Sequence, residues 1–304
     1  MEMTGFTIAA VERDTGLSKD ALRMWERRYG FPHPARDSNG ERVYPIEQVE
    51  RLRLIKRLMD QGFRPGKLIA SAPEDLAQLA QQNPISRPGA LASVDLGHQE
   101  KLLELIRQHD IDGYLEALHQ QLARHGLQRF VMDTIAPMTY LVGEAWQQDR
   151  IKVFEEHLFT ELTRRVLRSA ITALPAARKP PRVLLTSVPE EAHMLGLLMV
   201  EALLVLEGAT CIPLGAEMPL MEIASASVAH RADIVALSFS SAFPQRQVGG
   251  LLQQLRGLLP ADTQLWVGGD GAGHIAERGA GIRLFSTLGD AIEAVAEWRD
   301  SIRD

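Results

Sequence analysis

The stretch LLTSVPEEAHMLGLLMVEALL, from Leu184 to Leu204, decides the fold of the second half of the chain. It begins with a short apolar run typical of a buried strand and ends with an apolar helix, and the connection contains Glu191, His193 and Gly196. In an open parallel sheet, ligands bind at the carboxyl ends of the strands, which is where this connection would lie. A carboxylate two residues before a histidine therefore indicates a ligand site.

Four further apolar runs follow, each bounded by helical segments. Together with the first they read RVLLTSV, TCIPLG, DIVALSFS, TQLWVGG and IRLF, between residues 182 and 285. Such alternation predicts a doubly wound α/β domain, flavodoxin-like or Rossmann-like, over residues 179–304. Since parallel strands end at one rim, we expect four more residues near His193: Ser238, Ser240, Gly268 and Gly269.

The residue types around His193 suit a bulky metal-containing ligand. A neutral imidazole ligates transition metals, and Glu191 is placed to accept the other ring N–H. Gly196 would let the following helix approach a large group. The bare pattern E-x-H-x-x-G is also compatible with a histidine that caps the helix or is simply exposed.

Composition bounds the function classes. The 304 residues are 45% hydrophobic, enough for two or three domains with cores, and the single cysteine excludes an internal disulfide. Residues 1–70 have a net charge of +3 and the remainder −9, which favours nucleic-acid binding by the head alone. The absence of a long apolar run and of a signal-peptide pattern predicts a cytoplasmic protein with no membrane segment.

Residues 1–72 are expected to form a small helical domain with a β-hairpin. Two helices meet near Gly16, the second capped by Ser18 and ended by Gly30, and Asn39-Gly40 predicts the hairpin. A linker is expected at 73–97 and an all-helical bundle at 98–178. The second helix and the hairpin are basic, and their candidate DNA contacts are Lys19, Arg23, Arg27, Arg28, Tyr29, Arg36, Arg42 and Tyr44.

The head resembles the MerR family of winged-helix regulators over about 60 residues. The matching pieces are LRMWERRYG, PARDSNGERVY and VERLRLIKRLMDQG. The resemblance implies a winged helix-turn-helix that places the helix and wing residues named above near double-stranded DNA. Trp25 is expected in the core. Pro65, Pro73, Pro84 and Pro88 interrupt the region where many MerR-type regulators have a long dimerisation helix, so self-association would come from the later domains.

Residues 182–304 resemble the cobalamin-binding domain shared by methionine synthase and the B12 mutases. That family has D-x-H-x-x-G, S-x-L and G-G motifs, which imply His193 as the lower cobalt ligand. The displaced nucleotide tail would pass the Ser238, Ser240, Gly268 and Gly269 positions. Two departures are present, because Glu191 replaces the usual aspartate and Ser238-Phe239-Ser240 replaces S-x-L.

The bundle contains AWQQDRIKVFEEHLFTE, residues 145–161, in which Asp149, Arg150 and Lys152 suggest a turn between two helices. Tryptophan, nine residues and then Glu-His resemble the cap of the CarH/LitR family of B12-dependent photoreceptors. The resemblance implies that Trp146 and Val153 contact the upper adenosyl group and that Glu156 hydrogen-bonds it. His157 would take the upper cobalt position after light removes that group. Without the resemblance, Trp146 reads as bundle core and His157 as a surface residue.

These resemblances predict an adenosylcobalamin-dependent, light-responsive repressor and not an enzyme. They imply a homotetramer that binds operator DNA in the dark and dissociates in light. Two alternatives remain open. One is a MerR-type regulator that binds cobalamin without responding to light, or that has lost the cofactor. The other is a corrinoid methyltransferase or mutase subunit, for which the chain lacks room for a second catalytic domain and which gives the MerR-like head no role.

Overall fold

The computed structural model describes residues 5–15, 17–37, 40–60, 63–73, 75–76, 79, 96–175, 179–273 and 281–302. The predicted turn residues Gly16 and Asn39, together with most of the predicted linker at 73–97, lie outside these ranges. The chain divides into two compact units, Met1–Ile85 and Ser86–Asp304. No helix in the described ranges is long and apolar enough to cross a bilayer.

The first unit combines helices with a small antiparallel sheet. The strands are β1 (Phe6–Thr7), β2 (Ala35–Arg36) and β3 (Arg42–Tyr44), in the order β1-β3-β2. The helices are α1 (Ile8–Thr15), α2 (Lys19–Tyr29), α3 (Ile46–Asp60) and α4 (Pro65–Ala70). The pairing of β2 with β3 confirms the predicted hairpin.

Local sequence signals explain the bounds of α2 and the orientation of α3. The hydroxyl of Ser18 accepts the amide N–H of Ala21, and Gly30 ends α2 in the left-handed conformation at φ 68°. One face of α3 is fully buried with Trp25 in one core, and its members are Val49, Leu52, Ile55 and Leu58. The winged-helix prediction is therefore confirmed at the level of the fold.

The second unit begins with a helical bundle. Its helices are α5 (Leu96–Arg107), α6 (Ile111–Arg129), α7 (Ala136–Gln147) and α8 (Val153–Thr172), with a π-helical segment at Phe130–Ile135. The turn predicted at 149–152 separates α7 from α8, as expected.

A five-stranded parallel sheet follows the bundle. Its strands are β4 (Lys179–Thr186), β5 (Ala209–Gly215), β6 (Ile234–Ser238), β7 (Gln264–Gly268) and β8 (Ile282–Leu284), in the order β5-β4-β6-β7-β8. The intervening helices are α9 (Leu195–Leu206), α10 (Leu220–Ala229) and α11 (Gln245–Leu258), and α12 (Leu288–Ser301) follows β8. All five predicted strands are present, and their order is that of a flavodoxin-like doubly wound domain.

Helix α9 belongs to the cores of both the bundle and the sheet. Leu195, Leu198 and Leu203 pack in the bundle core, whereas Leu197 and Leu204 pack against the sheet. A helix that is apolar all round is buried on all sides, and this double contact is the reason for the sequence LGLLMVEALLVL. The bundle and the sheet thus share one unit.

Candidate functional site

The connection after β4 lies at the point where the strand order reverses. Strand β4 pairs with β5 on one side and with β6 on the other, so the crossover that leaves β4 leads to β5, whereas the crossover that leaves β6 leads in the opposite direction to β7. Glu191 and His193 follow β4, and Ser240 follows β6, so these residues meet at the crevice that such a reversal creates.

Glu191 links these two connections through its buried carboxylate, whose side chain is 1% exposed. Oε1 accepts hydrogen bonds from the His193 amide N–H at 2.9 Å and from the His193 Nδ1–H at 2.8 Å. Oε2 accepts from the Ser240 amide N–H at 2.7 Å and the Ser240 hydroxyl at 2.9 Å. The carboxylate therefore holds the histidine and the end of β6 together.

The charge of Glu191 is maintained despite its burial. Burial acts to raise the pKa of this carboxyl, but hydrogen bonds from His193 and Ser240 outweigh that effect and lower the pKa below its ordinary value. An ionised Glu191 selects the His193 tautomer with a proton on Nδ1 and a lone pair on Nε2. That tautomer is the form that ligates a metal.

The first turn of α9 lies directly against the end of β6. A Cβ atom placed on Gly196 would be 2.7 Å from the hydroxyl oxygen of Ser238. A side chain at this position would require the Ser238 hydroxyl to move, so the close approach of α9 to β6 favours glycine independently of any ligand. Ser238 pairs in register with Gly268, which extends the rim to β7.

The two glycines after β7 differ in their surroundings. Gly269 has φ +90°, and a Cβ there would be 2.3 Å from the carbonyl oxygen of Phe239, so backbone packing requires this glycine. A Cβ on Gly268 would meet no atom closer than 3.9 Å. Gly268 is thus the position where a missing side chain leaves space beside the rim.

The predicted upper residues lie on either side of the α7–α8 turn. Trp146 is half-buried against the bundle core, and Val153 is the first residue of α8. The Glu156 carboxylate contacts His157 Nδ1 at 2.7 Å and accepts the Thr160 hydroxyl at 2.9 Å. The His157 side chain is 76% exposed.

Helices α8 and α9 run in the same direction, which relates the two sets of residues. Arg168 of α8 donates to Glu201 of α9 at 2.7 Å, and the C-terminal ends of both helices line one cleft of about 300 Å³. Because the two helices run in the same direction, the start of α8, with Val153–His157, lies toward the same end of the helix pair as the loop that carries His193 and precedes α9.

The donor set fits cobalt that is already held by a corrin ring. The described residues contain no group of three or more His, Cys, Asp or Glu side chains that could hold a bare metal ion. A corrin supplies four nitrogen ligands itself, so the protein needs to contribute only axial nitrogens. His193 has the tautomer for that role, and Gly268 leaves space at the rim.

The first unit carries the candidate DNA contacts, and helix α2 presents most of them. Arg23, Arg27, Arg28 and Tyr29 are exposed, as a recognition helix requires. Two of the predicted cations on α2 have carboxylate partners within the head. Lys19 lies 3.3 Å from Glu12, and Arg23 lies 3.6 Å from Asp20 in an exposed pair that contributes little to stability.

In the wing, the structure corrects the predicted DNA contact of Tyr44 and shows that Arg42 has a partner within the head. Tyr44 is fully buried in the core of the head, so its ring cannot reach DNA. Its position in a strand places it on the inward side, which the sequence match to the wing did not reveal. The Arg42 guanidinium contacts Glu26 of α2 at 2.8 Å, whereas Arg36 is exposed and donates to the Gly40 carbonyl within the wing.

Sequence reasoning missed Ser187, a buried residue directly after β4. Its hydroxyl donates to the Glu191 carbonyl and accepts the Glu217 amide N–H at 2.9 Å, so it fixes the loop that carries His193. The signal available in the sequence was a hydroxyl residue at the end of a buried strand. It also missed that Ser240 binds Glu191, because the serine was interpreted only as a contact for a ligand tail.

Two family profiles match the chain. One, described as "MerR HTH family regulatory protein", matches residues 6–70. The other, described as "B12 binding domain", matches residues 98–170, which form the bundle. The chain therefore combines a MerR-type head with a B12-binding region.

Two relatives from Myxococcus xanthus match most of the chain. The "HTH-type transcriptional repressor CarH" is 31% identical over 84% of this chain and 86% of its own length. The "HTH-type transcriptional repressor CarA" is 31% identical over 87% and 86%. The fold of the monomethylamine corrinoid protein of Methanosarcina barkeri also matches, with a TM-score of 0.53 and 18% identity, over 65% of this chain and 96% of that protein.

Proposed function

Since the chain belongs to the family of HTH-type transcriptional repressors that includes CarH and CarA, we propose that adenosylcobalamin and light control its binding to DNA. Membership makes the protein a B12-dependent transcriptional regulator and confirms the prediction that it is not an enzyme. The proposed part comprises the residues that hold the cofactor, the adenosyl form of the cobalamin, the response to light and the oligomeric state.

The observation that carries the proposal is the common direction of α8 and α9. It supports a site in which His193 meets cobalt from below while the start of α8 lies on the upper side. His193 would ligate through Nε2, and Glu191 with Ser240 would keep its ring in one orientation. Gly268 would admit the nucleotide tail.

On the upper side, Trp146 and Val153 would enclose the adenosyl group, and the Glu156 carboxylate would accept a hydrogen bond from it. The cofactor would supply the absorption of visible light and a cobalt–carbon bond that light breaks. His157 would then move toward cobalt and exchange its contact with Glu156 for ligation. Its exposure supports this motion, because little packing opposes it.

A movement of the start of α8 would reach the rest of the unit through the bundle core, which α9 shares with the sheet. A switch requires that the ligand interact differently with two states, and two alternative positions of His157 satisfy that requirement. We propose that the dark state is a homotetramer on operator DNA and that illumination dissociates it, which releases repression.

The test compares the wild-type protein loaded with adenosylcobalamin before and after green light, by size-exclusion chromatography with absorbance detection. We expect a change in both elution volume and spectrum. Protein loaded with hydroxocobalamin, which lacks the adenosyl group, is the matched control and should keep one size. Uptake of adenosylcobalamin with no change of size in light would contradict the light switch but leave the B12-dependent regulator intact.

A further inference from the structure

We propose that Glu26 and Arg42 form an ion pair that sets the position of the wing against the recognition helix, and that Arg36 is the wing's contact with the DNA backbone. The inference rests on DNA binding by the head, as in the proposed function. It makes Arg42 a positioning residue, although its place in the wing motif predicted a DNA contact.

The pair joins two elements that are separate in the sequence. Glu26 lies in the middle of α2, and Arg42 is the first residue of β3, in register with Arg36 of β2. The two side chains are 27% and 30% exposed and their contact measures 2.8 Å, so solvent shields this pair less than the exposed pairs of the head. The hydrogen bond to Glu26 raises the pKa of the Arg42 guanidinium above its ordinary value.

The charged groups of Glu26, Arg42 and Arg23 all act on the hydroxyl of Tyr44. Burial raises the pKa of the Tyr44 hydroxyl, the charge of Glu26 raises it further, and the charges of Arg42 and Arg23 oppose the rise. Arg23 of α2 and Arg42 of the wing therefore both act on the buried tyrosine. Glu26 brings a carboxylate to the same place and contacts Arg42, which joins the helix to the wing.

Arg36 is placed differently. It is exposed, and its guanidinium donates to the Gly40 carbonyl at 2.6 Å within the wing itself. That bond turns the side chain toward the tip of the wing and leaves donors of the guanidinium for a phosphate. A phosphate contact by Arg42, in contrast, would have to replace a charge-assisted hydrogen bond that already exists.

The experiment measures the affinity of the full chain for a duplex that the wild-type protein has selected from a random-sequence library. Glu26→Ala and Arg42→Ala should each weaken binding by about five- to thirty-fold, the range of a loss of one contact of this kind. The double variant should be no weaker than the weaker single variant, because both substitutions remove the same interaction. Glu26→Arg combined with Arg42→Glu should restore most of the affinity.

The salt dependence separates positioning from phosphate contact. Arg36→Ala should reduce the slope of log affinity against log salt by about 1, and adding Arg42→Ala to that variant should reduce the slope no further, because Arg42 holds no phosphate of its own. Circular dichroism of each variant checks that the head is folded, and the charge-swapped variant tests the idea even if a single variant unfolds. Tighter binding by Glu26→Ala, a further reduction of the slope when Arg42→Ala is added to Arg36→Ala, or no recovery in the swapped variant would each overturn the inference. If the wild type selects no duplex, it is the DNA-binding function that fails.

Discussion

His193 and His157 have similar immediate partners but very different supports. Each ring contacts a glutamate through Nδ1, at 2.8 Å for Glu191 and 2.7 Å for Glu156. Glu191 is 1% exposed and accepts further hydrogen bonds from two backbone amides and the Ser240 hydroxyl. Glu156 is 29% exposed and accepts one further bond, from Thr160 on its own helix.

These contacts hold His193 firmly in place, whereas His157 can move at little cost. Displacing the His193 ring would remove one hydrogen bond from a buried carboxylate, and a lost hydrogen bond to a buried charged group is costly. Exposed ion pairs contribute about 0–1 kcal/mol, so His157 can leave Glu156 at little cost. The contacts therefore fix His193 and leave His157 able to move, as their proposed roles as a fixed and an exchangeable cobalt ligand require.

The largest effect is expected from removing the fixed ligand. Loss of a residue that only supports a metal ligand typically lowers metal affinity by about 10–100-fold. His193→Ala removes the proposed ligand itself, so it should lower cobalamin affinity by more than that. Its spectrum should shift to that of cobalamin without a histidine below cobalt. Titration with adenosylcobalamin in the dark measures both. Wild-type affinity and spectrum in this variant would remove the basis for calling His193 the lower ligand.

Glu191→Gln should have the next largest effect, a reduction of cobalamin affinity by about 10–100-fold. The amide is neutral and can no longer accept all four hydrogen bonds, so the His193 ring loses its fixed tautomer. Glu156→Gln is the matched control on the upper side. If the two variants bind adenosylcobalamin equally well in the dark, the supports of the two histidines do not differ as the contacts indicate.

A smaller effect is expected from acid. Because the folded-state pKa of Glu191 is lowered, its ionisation stabilises the fold fully above the unfolded value of about 4.5. That contribution is lost as the pH falls below 4.5 toward the folded pKa. As the pH is lowered from 5, the unfolding temperature of the wild type should therefore fall further than that of Glu191→Gln. Parallel curves for the two proteins would show that the carboxylate does not ionise as described.

The fold and the lower site could be predicted from local patterns. Five apolar runs gave the strands, and the carboxyl-end rule placed Glu191, His193 and the residues after β6 at one rim. The contact between Glu191 and Ser240 could not be predicted, because it depends on the length of a glutamate side chain across two loops. The need for Gly269 was also hidden, since it arises from the backbone of Phe239.

The wing shows the opposite limit, because there the motif match was long and still did not reveal that Tyr44 is buried. Arg42 and Tyr44 alternate with Val43 in a strand, so both side chains lie on the same side of β3 as the core and α2. A motif identifies the strand, but only the packing decides which of its residues face DNA. Tyr44 is buried for that reason.

The smallest effect in the dark, and the one that separates the two histidines most sharply, is expected from His157→Ala. In the dark, the adenosyl group would fill the upper cobalt position. The cobalamin affinity, spectrum and size of the variant in the dark should therefore match those of the wild type. After green light, the variant should lose the spectrum of cobalt with two histidines and hold cobalamin more loosely. Chromatography with absorbance detection before and after illumination measures all three.

Trp146→Ala is the matched control, because it should disturb the dark state by removing the ring beside the adenosyl group. If the wild type changes size in light and His157→Ala changes identically, an exchangeable upper histidine is not how the protein switches.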